Sequence, residues 1–221
     1  FSAAKAYLTP HLHRPNLQVV TKAHVTRILF DEHKRATGVA YLRDGAIHTE
    51  RATREVLLCA GALLSPQVLQ LSGIGHAEQL KRLGIDVVHD LPGVGEHLHD
   101  HPDVVQVVDA PHLKDLFGLS MAGAMHVLRG VVDWRTRRKG MLTTNFAEAG
   151  GFIKSSADVS EPDLQLHFVV GKLIDHGRKT VWGHGYSCHI CLLQPQSRGS
   201  VKLASGDPLV PPLIDPAFLS D

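Results

Sequence analysis

The stretch from Glu55 to His101 constrains the fold of this chain more than any other, because it joins an apolar run, a helix signal and two glycine-rich turns in one short span. Val56, Leu57, Leu58, Cys59 and Ala60 form a run that stops at Gly61. That is the pattern of a strand buried on both faces of a mainly parallel sheet. Ser65-Pro66 then opens a segment with Val68, Leu69, Leu71 and Ile74 on helical spacing. Ser65 is expected as the N-cap and Pro66 as the first helical residue, where a missing N–H costs nothing. Ser72-Gly73-Ile74-Gly75 should end the helix. A strand, a small-residue turn and a helix N-terminus bring backbone N–H groups to a place where an anion or a ribose can meet them. An ordinary strand–turn–helix that binds nothing has the same pattern.

Ahead of this stretch, Ser2–Leu8 reads as the end of a helix stopped by Thr9-Pro10. Leu17–Thr21 and His24–Phe30 read as strands, and Gly38–Arg43 and Ala46–Glu50 as a hairpin across Asp44-Gly45, a dipeptide suited to positive φ angles. Val25 is a core residue of its strand on this reading. After it, Glu78–Leu83 is a short amphipathic helix ended by Gly84, and Ile85–Val88 a brief strand. Composition changes near Pro102, where a domain boundary is expected. Beyond it Val104–Val108 reads as a strand, and Leu119–Arg138 as a long helix. Met121, Met125, Leu128, Val131, Val132 and Trp134 form its buried stripe, Ser120 its N-cap, and Gly140 its close. Glu148–Lys154, Leu164–Val170, Tyr186–Leu193 and Ser200–Ala204 read as strands of one antiparallel sheet. Glu148 begins an otherwise apolar strand, either at an exposed end or turned into a pocket.

A net charge of +1 gives no field for steering nucleic acid. No apolar run approaches the roughly 20 residues of a membrane span, and the first residues lack a signal-peptide pattern, so a cytoplasmic location is expected. Three cysteines argue against a disulfide framework. Cys188 and Cys191, three apart on a strand, should face opposite ways and cannot share one ion.

Sixteen histidines are many for this length, and three crowd into His97-Leu98-His99-Asp100-His101. Imidazole and carboxylate are the usual ligands of zinc and iron, so a metal-dependent hydrolase using His97, His99, Asp100 and His101 is an alternative. His112, His167, His184 and His189 could complete such a set, but nothing in the sequence groups them. No complete Gly-x-Gly-x-x-Gly occurs: Gly73-Ile74-Gly75, Gly93-Val94-Gly95 and Gly183-His184-Gly185 each lack the third glycine. Gly118-Leu119-Ser120-Met121-Ala122 approaches a nucleophile elbow but ends in alanine. A non-catalytic binding module is the third reading, suggested by the missing chemistry.

Gly61-Ala62, Ser65-Pro66, Val68-Leu69 and Ser72-Gly73-Ile74-Gly75 together resemble the second signature of the glucose–methanol–choline family of FAD-dependent oxidoreductases. Leu91-Pro92-Gly93-Val94-Gly95, running into Leu98 and Asp100-His101, resembles the segment that follows it there. Further on, AEAGGF, PDLQLHF, HGYS, QPQSRGSVKL and DPLVPPLIDP resemble that family's substrate-binding domain. The resemblance implies an α+β (mixed α/β) chain, with a partial FAD-binding domain over residues 1–101 and an antiparallel-sheet substrate-binding domain with packed helices over 102–221. It implies FAD as the cofactor of a longer protein, an alcohol or choline dehydrogenase that oxidises a primary alcohol by hydride transfer to flavin. These 221 residues would be an internal piece, inactive and without flavin when alone. The flavin-phosphate fingerprint is expected before Phe1 and the catalytic histidine beyond Asp221. By the same resemblance the backbone at Val25 contacts the adenine end of FAD, and Ala60, Gly61 and Ser65 belong to the cofactor site. Asp100 and His101 hold the loop beneath the flavin, and Glu148 faces the substrate. His97 and His99 depart from the family pattern, which usually has Asn and often Gln there. The implied partners are a small-molecule alcohol and an electron acceptor of unidentified kind, with no nucleic acid. Homo-oligomers and attachment to the periphery of an inner membrane are compatible with it.

Overall fold

The computed structural model describes residues 2–175, 178, 179 and 181–220. Two compact units emerge, one of Phe1–Leu98 with Arg198–Ala217 and one of His99–Ser197 with Phe218–Asp221. The change of unit at Leu98 lies within a few residues of the expected boundary at Pro102. Residues 198–217 differ from expectation, since they pack with the first unit and not with the segment that precedes them.

In the first unit β1 (His24–Phe30), β2 (Ala36–Arg43) and β3 (Ala46–Arg51) form an antiparallel sheet in that order. Asp44 and Gly45 turn the β2–β3 hairpin at φ +50° and +79°, the two positive angles of a type I′ turn. Then follow α1 (Gly61–Leu71), β4 (Ile74–Gly75), α2 (Ala77–Arg82), β5 (His89–Asp90) and β6 (Glu96–Leu98). The pair β4–β5 is parallel. Far along the chain, β12 (Gly199–Lys202) and β13 (Leu213–Asp215) return to form the sheet β13-β12-β6. Ser200–Ala204 therefore lies outside the second unit's sheet, contrary to expectation.

Two expected strands are not strands. Leu17–Thr21 and Val56–Ala60 have no ladder partner among the described residues, and Leu57 is 77% exposed. Apolar composition alone does not make a strand, because unpaired backbone has no ladder to join. The brief strand expected at Ile85–Val88 forms directly after that span, as the two-residue β5. Helix α1 begins four residues before its expected cap. Gly61, at φ +81°, lets the chain turn into the helix at that point. Ser65 and Pro66 then fall inside the helix, where Pro66 leaves the Ala62 carbonyl without its helical donor. The helix does end at Leu71, and Gly73 follows at φ +84°. A side chain there would meet the Asp86 carbonyl at 2.4 Å.

The second unit is built on the antiparallel order β7 (Asp103–Asp109), β11 (Gly183–Leu192), β10 (Leu164–Val169), β9 (Ala147–Ile153). A short β8 (Gly118–Leu119) pairs with the start of β11. Cys188 and Cys191 lie on β11, where their odd spacing sets them on opposite faces. Helix α3 (Met121–Arg137) starts as expected: the Ser120 hydroxyl accepts the Gly123 N–H at 3.0 Å. It closes at Arg138 in the left-handed region, two residues before Gly140.

The face of α3 is reversed from expectation. Met121 is 89% and Leu128 63% exposed, and Met125 and Val132 lie outward with them. The buried positions are Gly123 and Gly130. A side chain at Gly123 would meet the Gly118 carbonyl at 1.9 Å, and one at Gly130 would meet Met141 at 2.9 Å. The helix packs by close backbone approach along its glycine edge, which turns the apolar stripe to the opposite side. Among the described residues no helix is long and apolar enough to cross a membrane.

Candidate functional site

The residues around Gly61 form an open helix start. Ala60, the cap residue of α1, has no side-chain acceptor, and no side chain caps the first turn. Gly61 through Leu64 are exposed, and a Cβ built on Gly61 has nothing within 4 Å. The first N–H groups of a helix have no partner inside it, and the positive end of the helix dipole favours an anion or an oxygen acceptor. Ser65 sits one turn further in and is half-buried. Val25 lies on β1 with 37% exposure, so it is a surface residue of that strand and not the core residue expected. Thr26 beside it is the extra residue of a bulge against β2.

The base of this helix is held from three directions by polar groups that the sequence reading missed. Ser72 Oγ accepts the Ile28 N–H at 2.8 Å and donates to the Val68 carbonyl at 2.5 Å. Gln70 Nε2 donates to the Val201 carbonyl at 2.9 Å, and its Oε1 accepts the Leu203 N–H at 3.2 Å. Gln67 Nε2 donates to the Val210 carbonyl at 2.9 Å. All three side chains are buried. Helical spacing was the available signal: Gln67 and Gln70 stand among apolar residues on the inward face.

The histidine-rich loop does not converge. His97 is exposed at φ +61°, opposite a break in the β6–β12 register. His99 Nε2 donates to the Pro195 carbonyl at 2.8 Å, which commits that nitrogen as a donor. Asp100 Oδ1 accepts the His101 N–H at 2.8 Å, so this carboxylate shapes its own loop. Among the described residues no three His, Cys, Asp or Glu side chains gather as metal ligands. The hydrolase alternative thus loses its geometry.

Glu148 is exposed in β9. Ala147 pairs with Val169 and Ala149 with Phe168, leaving Glu148 as the extra residue of a β-bulge. A bulge re-aims the side chain it carries, a device frequent beside binding sites. Just before it, Phe146 adopts φ +69°, strained for an aromatic residue, and stacks on Phe117 at 4.7 Å between ring centroids.

Two buried histidines have local partners instead of a common site. His184 Nδ1 donates to the Leu116 carbonyl at 3.0 Å, so in the neutral ring Nε2 accepts the Ser120 hydroxyl at 2.5 Å. His189 Nδ1 lies 2.6 Å from Asp103 Oδ2, and its buried Nε2 has no hydrogen-bond partner. Cys191 donates to the other oxygen of Asp103 at 3.4 Å. Burial, and then the Asp103 carboxylate, push this thiol up to about 11. A cavity of about 580 Å³ lies in the first unit against β1 and α1, with Arg27 and Asp86 in its wall. None of Val25, Ala60, Gly61 and Ser65 lines it.

Residues 1–103 match the family model of GMC oxidoreductases. The whole chain aligns at 44% identity with an alcohol dehydrogenase [acceptor] of Pseudomonas putida, and covers 40% of that protein. It aligns over its full length at 41% with the mitochondrial choline dehydrogenase of Homo sapiens, covering 36%. Among solved structures, a formate oxidase of Aspergillus oryzae studied for its FAD modification superposes with a TM-score of 0.83 at 26% identity. That match takes in 96% of this chain and 41% of the oxidase. The chain thus spans about 40% of the length of the relatives it resembles.

Proposed function

We propose that the chain belongs to the GMC oxidoreductases, whose family model matches residues 1–103, and that its protein is an FAD-dependent dehydrogenase of primary alcohols. The open, uncapped start of α1 at Gly61 is the observation that carries this reading. A flavin nucleotide presents phosphate and ribose oxygens, and the first turn of α1 presents N–H groups with free space before them. Ala60, Gly61 and Ser65 would hold the nucleotide, with the backbone of Val25, and Asp100 and His101 would belong to the loop at the flavin. FAD, when bound, supplies the two-electron acceptor for the alcohol's hydride.

Apart from Asp100 and His101, the residues assigned to the cofactor belong to the first unit, and the substrate residue belongs to the second. Glu148 is the substrate residue. Its carboxylate, carried outward by the bulge in β9, accepts a hydrogen bond from an alcohol or faces a cationic one. No side chain of this chain is assigned as the base for the alcohol proton. A cytoplasmic location is part of this proposal. The outward stripe of α3, next to Arg135, Arg137, Arg138 and Lys139, supports attachment to the periphery of a membrane.

Protein expressed from the whole gene should be yellow, and an added primary alcohol should bleach it. Gly61→Val should lower flavin content. A colourless product, or a yellow one that no alcohol reduces, overturns the assignment.

A further inference from the structure

A second cavity, of about 370 Å³, lies wholly inside the second unit. Its walls are the stacked Phe117–Phe146 pair, Val127 of α3, Met141, Val169 and Val181. That volume is at the lower end for small-molecule sites, and the lining is mostly apolar, as such sites are. None of the residues assigned above to cofactor or substrate contributes to it.

Charge decides what can enter. Among the described residues no acidic side chain lines the cavity, and two lysines do. Lys172 is already committed: its side chain is only 9% exposed, and Nζ donates to Asp109 Oδ1 at 2.7 Å and to the Trp182 carbonyl at 2.6 Å. Its stem is a fixed part of the wall. Lys179 is exposed and makes no ion pair among the described residues. A cation entering here would face an ammonium with no compensating carboxylate. The wall is also held in a strained form, since Phe146 at φ +69° is pinned on both sides. Its N–H donates to Thr144 Oγ1 at 3.0 Å and its carbonyl accepts the Val170 N–H at 3.1 Å. Strain kept by the surrounding structure is a feature of ligand clamps.

We propose that this cavity binds a medium-chain aliphatic carboxylate, with its hydrocarbon tail between the phenylalanines and α3 and its carboxylate at Lys179. The site is independent of the flavin assignment, so it stands or falls on binding alone. Hexanoate, octanoate, octanol and octylamine would be titrated into the 221-residue chain by calorimetry. Octanoate should bind saturably, and about fourfold more tightly for each added methylene until the cavity is full. Octylamine should bind at least tenfold more weakly than octanoate, by charge. Lys179→Gln should weaken octanoate about fivefold and leave octanol unchanged, as befits an exposed rim charge. Val127→Trp and, separately, Met141→Trp should abolish binding of both, with unfolding midpoints showing that each variant still folds. No saturable binding of octanoate overturns the proposal. So does octylamine binding as tightly, or octanoate binding undiminished in both tryptophan variants.

Discussion

Gln70 is the residue that ties the returning segment 198–217 to the first unit, and replacing it should loosen that segment selectively. Gln70 is 3% exposed, and its amide serves two backbone groups of one strand and its exit, the Val201 carbonyl and the Leu203 N–H. Val201 and Leu203 are themselves buried, so water cannot take over the lost bonds. Gln70→Leu keeps the volume but orphans both groups. Each buried orphan costs about 1–3 kcal/mol. Leucine returns roughly 1 kcal/mol of that by burying apolar surface in place of an amide. The net loss should be about 1–5 kcal/mol, a large share of a typical domain's stability. Urea unfolding of the chain measures it as a drop in midpoint at constant slope. Amide exchange localises it: Leu203 N–H should exchange about 10- to 100-fold faster, with β2 little changed. A loss below about 1 kcal/mol, or acceleration spread evenly over both units, would refute the reasoning.

Three further outcomes follow from single side chains. His97 holds φ +61°, so His97→Asn should stabilise by a few tenths to about 1 kcal/mol in thermal unfolding, asparagine being the better occupant of that region. Cys191, whose thiol is pushed up to about 11, should be alkylated roughly 100-fold more slowly at pH 8 than the exposed Cys59, as mass spectrometry of timed samples would show. Asp103→Asn should lower the Cys191 value and speed its labelling. Asp163 is held below its usual value by the Ser155 hydroxyl at 2.6 Å and the Ser155 N–H at 2.7 Å. A depressed carboxylate favours folding above its unfolded value and loses that contribution as pH falls through the folded one. Ser155→Ala should therefore raise the Asp163 midpoint in an NMR titration, and an unchanged midpoint would discount the bonds.

Local signals were legible wherever the chain supplies its own partner. The Asp44-Gly45 hairpin, β1, β10, the Ser120 cap and the stop at Gly73 are each set by neighbours in sequence, and each stands where the residues put it. The errors at Val56–Ala60 and along α3 share one cause, which is that burial was inferred from composition. Val56–Ala60 is as apolar as a central strand, yet a strand is defined by a ladder, and no described residue offers one. Helix α3 has a clear apolar stripe, but Gly123 and Gly130 on the opposite edge allow a closer approach than the stripe does. Periodicity shows that a helix has two faces and does not say which one is covered.

The candidate site was legible to a different degree. Gly61 was singled out as the turn residue, and the chain does turn there, at φ +81° with open space before it. Glu148 was singled out as a carboxylate out of place on an apolar strand. The bulge that explains it depends on pairing with Phe168 and Val169, which no local pattern reveals. The same limit governs the histidines. His97, His99 and His101 are close in sequence and diverge in space, whereas His189 and Asp103 are far apart in sequence and meet at 2.6 Å because β7 pairs with β11. Sheet register, not proximity along the chain, decides which titratable groups meet, so clustering in sequence is weak evidence for a metal site in an antiparallel domain. A charged residue standing alone on an apolar strand is the stronger signal, because its burial or its bulge must then be accounted for.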